Sequence, residues 1–236
     1  MRRKFTFVSA LALVAALCQG LPAAAATSVR INEASCSGVD WVELYNPTST
    51  AIDVSNWVLS DRADGGAAKH RFAIPRATVI APGAFVVFEQ GALSNQLPWG
   101  IDCSSGEELS LFSAMSPSPV KVDSLKLPPA APGFTYGRLS ATTSGHTLST
   151  RGAANKDGRP ALTSPKTVKC TARKACKLTL KASNSGRIAL AKATAGVKLS
   201  KGVLTITARK KQRLVLPLRL SNAAGSRTFS LTVNIS

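Results

Sequence analysis

Short stretches with apolar residues at every second position are the feature that most constrains this chain. Such alternation, broken by turn residues, predicts strands that bury one face, and no segment has the sustained 3.6-residue period of an amphipathic helix. In the first half the stretches are Val29 to Ile31, Trp41 to Tyr45, Trp57 to Leu59, Ala84 to Phe88 and Leu109 to Phe112. We therefore expect an all-β fold in which antiparallel strands pack as a sandwich.

The alternation returns near the end of the sequence and is clearest in RLVLPLRLSN and RTFSLTVNIS. One strand should bury its leucines and the next its Phe229, Leu231, Val233 and Ile235, with a turn at Ala223-Ala224-Gly225. Because Pro217 cannot donate a hydrogen bond, we expect its strand to lie at a sheet edge or to bulge there. This half is predicted to form a second, small β-sandwich.

The first 26 residues indicate export. Arg2 to Lys4 are basic, Phe5 to Leu17 are mostly apolar, and a run of small residues ends at Ala26. This pattern predicts a secretory signal peptide that is cleaved before Thr27. A membrane anchor is the alternative, but the apolar stretch is shorter than the ~20 residues that cross a bilayer. We expect a mature chain without a transmembrane segment, secreted or associated with the cell envelope.

The cysteines favour disulfides. Removal of the signal peptide leaves an even number in an exported chain, namely Cys36, Cys103, Cys170 and Cys176. Three pairings are open, and the sequence alone does not choose among them. We pair Cys170 with Cys176, which enclose a loop short enough for a hairpin tip, and Cys36 with Cys103. Zinc is the competing interpretation, but the chain has only two histidines and no C-x-x-C motif.

Charge divides the chain. Residues 27–150 hold 8 Lys+Arg and 11 Asp+Glu, a net charge of −3, whereas residues 151–236 hold 19 Lys+Arg and one acid, for a net +18. Such asymmetry indicates an anionic partner, which exposed cations attract by counterion release without a shaped pocket. The alternative is a surface charged for solubility or for residence near an anionic envelope. The predicted polyanion-binding residues are Arg173, Lys174, Lys177, Arg209, Lys210, Lys211 and Arg213. The one aromatic residue after 157, Phe229, is assigned to the core, so any DNA binding should be non-specific.

The sequence shows no pattern for catalysis. It contains no G-x-S-x-G, no H-E-x-x-H and no Gly-rich phosphate loop. Glu107 and Glu108 are adjacent on a predicted strand, so their side chains point to opposite faces. Asp61 and Asp64 could offer oxygen ligands to calcium, but we favour turns that these side chains stabilise through backbone hydrogen bonds. We expect no enzyme activity, no cofactor and no metal.

Several stretches resemble the lamin tail domain in its exported bacterial form. The most specific is DWVELYNP followed by DVSNWVLSD, and the others are VRINEAS, HRFAIPRATVIAPGAFVVF, ELSLF, VDSL, YGRL and STRGAAN. The resemblance covers residues 27–156. It implies an immunoglobulin-like β-sandwich that serves as an interaction or wall-associated module and is not catalytic in itself. The chain departs from the pattern at Arg76, where a turn glycine is common, and in its cysteine pair.

Four segments are predicted: a signal peptide at 1–26, a lamin-tail-like β-sandwich at 27–156, a linker at 157–165, and a basic β domain at 166–236 that is similar to small immunoglobulin-like modules. The expected function is a secreted, non-catalytic interaction or adhesion module. Its basic half would bind wall polysaccharide or, non-specifically, DNA, and a protein partner is expected as well. The alternatives are an accessory subunit of an extracellular nuclease or hydrolase, and a structural envelope component.

Overall fold

A computed structural model describes residues 28–236, so the predicted signal peptide at 1–26 lies outside the described residues. The strands of the first half are β1 Arg30–Ser35, β2 Trp41–Tyr45, β3 Ile52–Asp53, β4 Val58–Ser60, β5 Arg71–Ala73, β6 Val79–Ile80, β7 Phe85–Glu89, β8 Glu108–Ala114, β9 Val120–Lys126, β10 Thr135–Arg138, β11 Ser144–Leu148 and β12 Lys156–Asp157. Those of the second half are β13 Thr167–Cys170, β14 Ala175–Thr179, β15 Arg187–Leu190, β16 Val197–Ser200, β17 Val203–Thr207, β18 Gln212–Asn222 and β19 Gly225–Ile235. A short 3-10 helix, Ala68–His70, precedes β5. The all-β prediction is confirmed, and no helix within residues 28–236 has the length and apolar character that a membrane span requires.

The first half is a sandwich of two main sheets. One has the strand order β12-β11-β10-β1-β2-β7, the other has the order β5-β4-β8-β9, and β3 and β6 form a small ribbon. Ile31 and Leu44 from the first sheet meet Leu59 and Leu111 from the second in a fully buried core. These are the inward positions of the alternating stretches, so the predicted immunoglobulin-like sandwich is confirmed. The predicted bridge between Cys36 and Cys103 is also formed.

Two glutamates lie inside this first half. Glu33 and Glu43 are opposite each other on β1 and β2 and are fully buried. The Glu43 carboxylate accepts from Asn32 Nδ2 at 2.7 Å and from Gly152 N at 2.5 Å. Burial raises the pKa of Glu43 and outweighs these two hydrogen bonds, which lower it. Thr150 donates to Glu33 from both its N–H and its hydroxyl. The segment 149–155 is therefore fastened to the first core by buried carboxylates.

The second half is a smaller sandwich. A four-stranded sheet of order β13-β19-β18-β15 faces a three-stranded sheet of order β14-β17-β16, and β13 joins β19 in parallel. The predicted face of β18 is buried, with Leu216, Leu218 and Leu220 wholly inaccessible. Leu231 and Val233 of β19 complete the core. The predicted second sandwich is confirmed, as is the bridge between Cys170 and Cys176.

The strand that contains Pro217 is not at a sheet edge, which corrects the expectation from sequence. β18 lies between β19 and β15. Its pairing with β15 ends at Leu218 opposite Leu190, one residue after the proline. The Pro217 carbonyl accepts a hydrogen bond from Ala191 N at 2.8 Å. The missing N–H thus falls where the neighbouring strand stops, and an interior strand tolerates the proline there.

Residues 157–163 contact both halves, and the predicted division at 157–165 stays a prediction. Gly158 N donates to His146 O at 2.9 Å, and Asn222 Nδ2 donates to Gly158 O at 2.9 Å. A Cβ on Gly158 would lie 2.6 Å from Phe134 Cδ1 in the first half and 3.0 Å from Ala224 Cβ in the second. Glycine at this position lets the two halves approach closely. We call this region the junction.

Candidate polyanion-binding surface

Two of the predicted basic segments meet at the end of the second sandwich. Arg173 and Lys174 lie in the turn between β13 and β14, and Arg209 lies in the connection from β17 to β18. Arg173 N donates to Ala208 O at 2.8 Å, so the two connections are bonded to each other. Together they enclose a shallow cleft of about 250 Å³. Five exposed cations gather here, and we call them the distal end: Arg173, Lys174, Arg209, Lys210 and Lys211.

The distal end lies opposite the junction. β18 starts at Gln212, beside the distal cations, and runs to Asn222. Asn222 contacts Gly158 at the junction. The whole length of the second sandwich therefore separates the distal cations from the first half, which leaves them open to a large ligand.

A disulfide and backbone hydrogen bonds hold the first distal turn. Cys170 and Cys176 bridge the ends of β13 and β14, with their Cα atoms 5.8 Å apart. Ser236 N donates to Cys170 O at 3.0 Å, and Ala172 N donates to Ser236 O at 2.8 Å. On the chain-entropy model, a loop this short contributes about 2 kcal/mol of stability. The disulfide and these hydrogen bonds thus hold the turn, and with it Arg173 and Lys174, in place.

Arg173 occupies a backbone conformation that favours glycine. Its φ angle is +64°. A left-handed residue other than glycine costs about 1 kcal/mol or more. The same conformation occurs at Ala77 and Lys201, so it marks a strained turn and not by itself a binding site.

The structure separates the remaining two predicted residues. Lys177 lies on the outer face of the three-stranded sheet, two strands away from Lys198. Arg213 lies on the outer face of the four-stranded sheet, two strands away from Lys169. Because the two outer faces point in opposite directions, Lys177 and Arg213 cannot contact the same short stretch of ligand. Of the seven predicted residues, five form the distal end, whereas Lys177 and Arg213 lie on the two opposite outer faces.

Sequence reasoning missed four exposed cations that stand on strands: Lys169, Arg187, Lys198 and Arg219. Three of them belong to β13, β15 and β16, which have four residues each. So short an alternation is a weak signal. The pattern could have been found in V-K-C, R-I-A-L and V-K-L-S, where a cation alternates with an inward apolar residue.

The single acidic residue of the basic half forms ion pairs at the junction. Asp157 is the one acidic residue in 151–236. Its carboxylate accepts from Arg159 Nη2 at 2.6 Å and also from Arg227. Burial alone would raise the pKa of Asp157, but the hydrogen bonds and charges of these two arginines outweigh it and lower that pKa. Residues 158–236 contain no acidic side chain.

Asp61 and Asp64, the candidate calcium ligands, serve different partners. The buried Asp61 carboxylate lies 2.9 Å from His70 Nδ1. The exposed Asp64 accepts a hydrogen bond from Gly66 N at 2.9 Å, a side-chain contact typical of turns. Within residues 28–236, no group of three or more His, Cys, Asp and Glu side chains is placed to hold a metal ion.

Comparison with known proteins gives a family match. A family model described as Lamin Tail Domain matches residues 22–195. The match begins before β1 and ends in the second half, beyond β15. No curated protein sequence matches the chain.

Several solved structures are similar to the chain at low sequence identity. One is a putative alpha-galactosidase/melibiase from Bacteroides fragilis, with 23% identity over 34% of this chain and 18% of that chain, and a TM-score of 0.31. A second putative alpha-galactosidase from the same organism has 19% identity over the same shares and a TM-score of 0.32. The chain thus spans 18% of the length of each galactosidase. It is also similar to the N-terminal Ig1-2 module of the Drosophila receptor protein tyrosine phosphatase DLAR, with 12% identity over 88% of this chain and 92% of that chain, and a TM-score of 0.29.

Proposed function

Because the chain belongs to the lamin tail domain family, whose fold indicates a non-catalytic interaction module, we propose that this protein is a secreted module. It binds an anionic polymer at its distal end. The observation that carries the proposal is the meeting of two connections at one end of the second sandwich. They present five exposed cations, three of which line a cleft of about 250 Å³, in a segment that has no acidic side chain after Asp157.

Counterion release would supply the affinity. Each cation that contacts an anionic chain releases condensed counterions, which lowers the slope of log K against log salt by about 0.7 to 0.9. Five distal cations would give a slope near −4 by this rule. The mechanism needs no enclosed pocket, only charges held at fixed positions by the disulfide and the strand ends.

Secretion fits the covalent chemistry of the chain. Two disulfides are compatible with an oxidising, extracellular location. Outside the cell, the anionic polymers available to such a module include wall polysaccharide and released DNA. The first half carries a net charge of −3 and is left for a protein partner.

The test compares two triple variants with equal loss of charge. One replaces Arg173, Lys174 and Arg209 with glutamine. The control replaces Lys156, Lys181 and Lys201, which are exposed and lie away from the distal end. Binding to a polyuronate is measured as salt rises, and thermal unfolding confirms that both variants fold.

We expect the slope of log K against log salt to become less negative by about 2 to 3 in the distal variant, at 0.7 to 0.9 for each cation replaced, and by less than about 1 in the control. Equal losses of affinity in the two variants would show that binding follows net charge and not the distal end. Absence of binding by the unaltered protein at low salt would overturn the proposal altogether.

A further inference from the structure

The outer face of the four-stranded sheet connects the distal end to the junction. Strand alternation leaves every second residue of β18 and β19 exposed on this face. Its cations are Lys169, Arg187, Arg213 and Arg219, and all four are exposed. No acid stands among them, because β13, β15, β18 and β19 contain none. We call this surface the strip.

The register of the strands gives the strip its length. Arg213 and Arg219 lie on the same face of β18, six residues apart, which is about 20 Å at ~3.3 Å per residue. Arg187 stands opposite Ser221, about 7 Å beyond Arg219. Lys169 widens the distal end of the strip, because it lies two strands away from Arg213, or about 10 Å. The cations therefore follow a line and are not gathered in a single cluster.

The middle of the strip is uncharged. Val215 is 55% exposed, and Pro217 is half-buried beside it on the same face. Thr232 and Ser230 are their partners on β19 and supply hydroxyl groups. Aliphatic surface next to hydroxyls suits sugar rings, which have apolar faces and polar rims. Nucleobases bind best on exposed aromatic rings, which this face does not contain.

The strip ends in a cleft at the junction. This cleft has a volume of about 700 Å³. Arg187 and Ser221 line it from the second half, and Pro132, Phe134 and Leu148 line it from the first. The first half thus overhangs the end of the strip. A flexible single chain can enter such a cleft, but a DNA duplex, with a persistence length of about 50 nm, cannot bend into it.

We propose that a linear acidic polysaccharide lies along the strip, from the distal end to the junction cleft. Arg213, Arg219 and Arg187 contact successive acidic groups of the chain, and Val215 supports the sugar rings between them. This inference rests on the proposed function and adds to it the path and the class of polymer. It also gives the first half a direct part in binding, through the cleft wall.

The experiment uses two double variants that remove the same charge from opposite faces. Arg187→Gln with Arg219→Gln alters the strip, and Lys198→Gln with Lys201→Gln alters the side of the three-stranded sheet, where both lysines are exposed. Oligogalacturonates of increasing length serve as the probe, and full-length protein is used throughout. If the strip variant fails to fold, threonine replaces glutamine at both positions, because threonine favours exposed strand positions.

We expect the slope of log K against log salt to become less negative by about 1.4 in the strip variant, at about 0.7 for each arginine replaced, and to stay unchanged in the other variant. Affinity of the unaltered protein should rise with oligomer length and then stop rising once the chain covers the strip. Equal losses of affinity on the two faces, or no loss on either, would overturn the path while the distal-end result still supports the proposed function. Tighter binding of single-stranded DNA of equal charge would overturn the choice of polysaccharide.

Discussion

Replacement of the buried Glu33 by glutamine should loosen the first sandwich and free the segment 149–155. Glu33 is wholly inaccessible. One carboxylate oxygen accepts from the hydroxyls of Thr135 and Thr147, and the other accepts from the N–H and hydroxyl of Thr150. Glutamine keeps the shape of the side chain but has one oxygen and one NH2 group. Glutamine therefore replaces four hydrogen bonds to a charged acceptor with neutral ones, because a threonine hydroxyl that meets the NH2 group can rotate and accept from it.

The expected cost follows from the loss of charge at those four hydrogen bonds. A hydrogen bond to a charged group contributes about 1.5 to 3 kcal/mol and a neutral one about 0.5 to 1.5 kcal/mol, so the four together lose roughly 4 to 6 kcal/mol. Removal of a charge from the interior offsets part of this loss. We expect Glu33→Gln to lower the free energy of unfolding by about 3 kcal/mol. The threonines lie on β10 and β11 and just beyond β11, so the damage should begin where 149–155 returns to the sheet.

Urea unfolding followed by tryptophan fluorescence measures the effect. All three tryptophans, Trp41, Trp57 and Trp99, lie in the first half, so the signal reports that sandwich alone. The control is Glu89→Gln, because Glu89 is 44% exposed and pairs with Arg151 at the surface. An exposed pair of this kind contributes about 1 kcal/mol or less.

Trypsin gives a second readout. Arg151 belongs to the fastened segment, so Glu33→Gln should speed cleavage after it. The reasoning is refuted if Glu33→Gln unfolds at the same urea concentration as Glu89→Gln and trypsin cleaves after Arg151 no faster than in the unaltered protein.

Two further results are expected. Asp157→Asn should lower the melting temperature near pH 7. Because the arginines hold the folded pKa of Asp157 below its ordinary value of 3.8, the ion pairs stabilise the protein above that value, and this stabilisation is lost as pH falls through the folded pKa. Calorimetry should therefore find that the difference in melting temperature between the two proteins vanishes in acid. Joint replacement of Cys170 and Cys176 by serine should lower the free energy of unfolding in urea by about 2 kcal/mol. It should also weaken polyanion binding at low salt, because the disulfide no longer holds the distal turn. Unchanged affinity would show that the strand ends alone hold the turn.

The alternation of the sequence predicted most of the fold, because a strand with one buried face must place apolar residues at every second position. β2, β8 and β18 all appear where the pattern placed them. The pattern did not reveal β13, β15 or β16, which have too few residues for a clear period. Nor did it place Pro217 correctly, since the position of a strand within its sheet depends on neighbours that are distant along the chain.

The candidate site was predicted in kind but not in arrangement. Composition identified a basic half and a set of cations within it. Their spacing along the chain did not show that Arg173 and Arg209 lie beside one another, because that depends on the pairing of β14 with β17. It also did not show that Lys177 and Arg213 face opposite ways.

The sequence by itself determined the all-β class, the charge asymmetry and the positions that enter the two cores, because these depend on local periodicity and composition. The tertiary structure decided which cations share a surface, which glutamates and threonines close the first sandwich, and how the strip meets the junction cleft. Those features arise from strand pairing across long stretches of chain. Residues far apart in sequence become neighbours only when the sheets form.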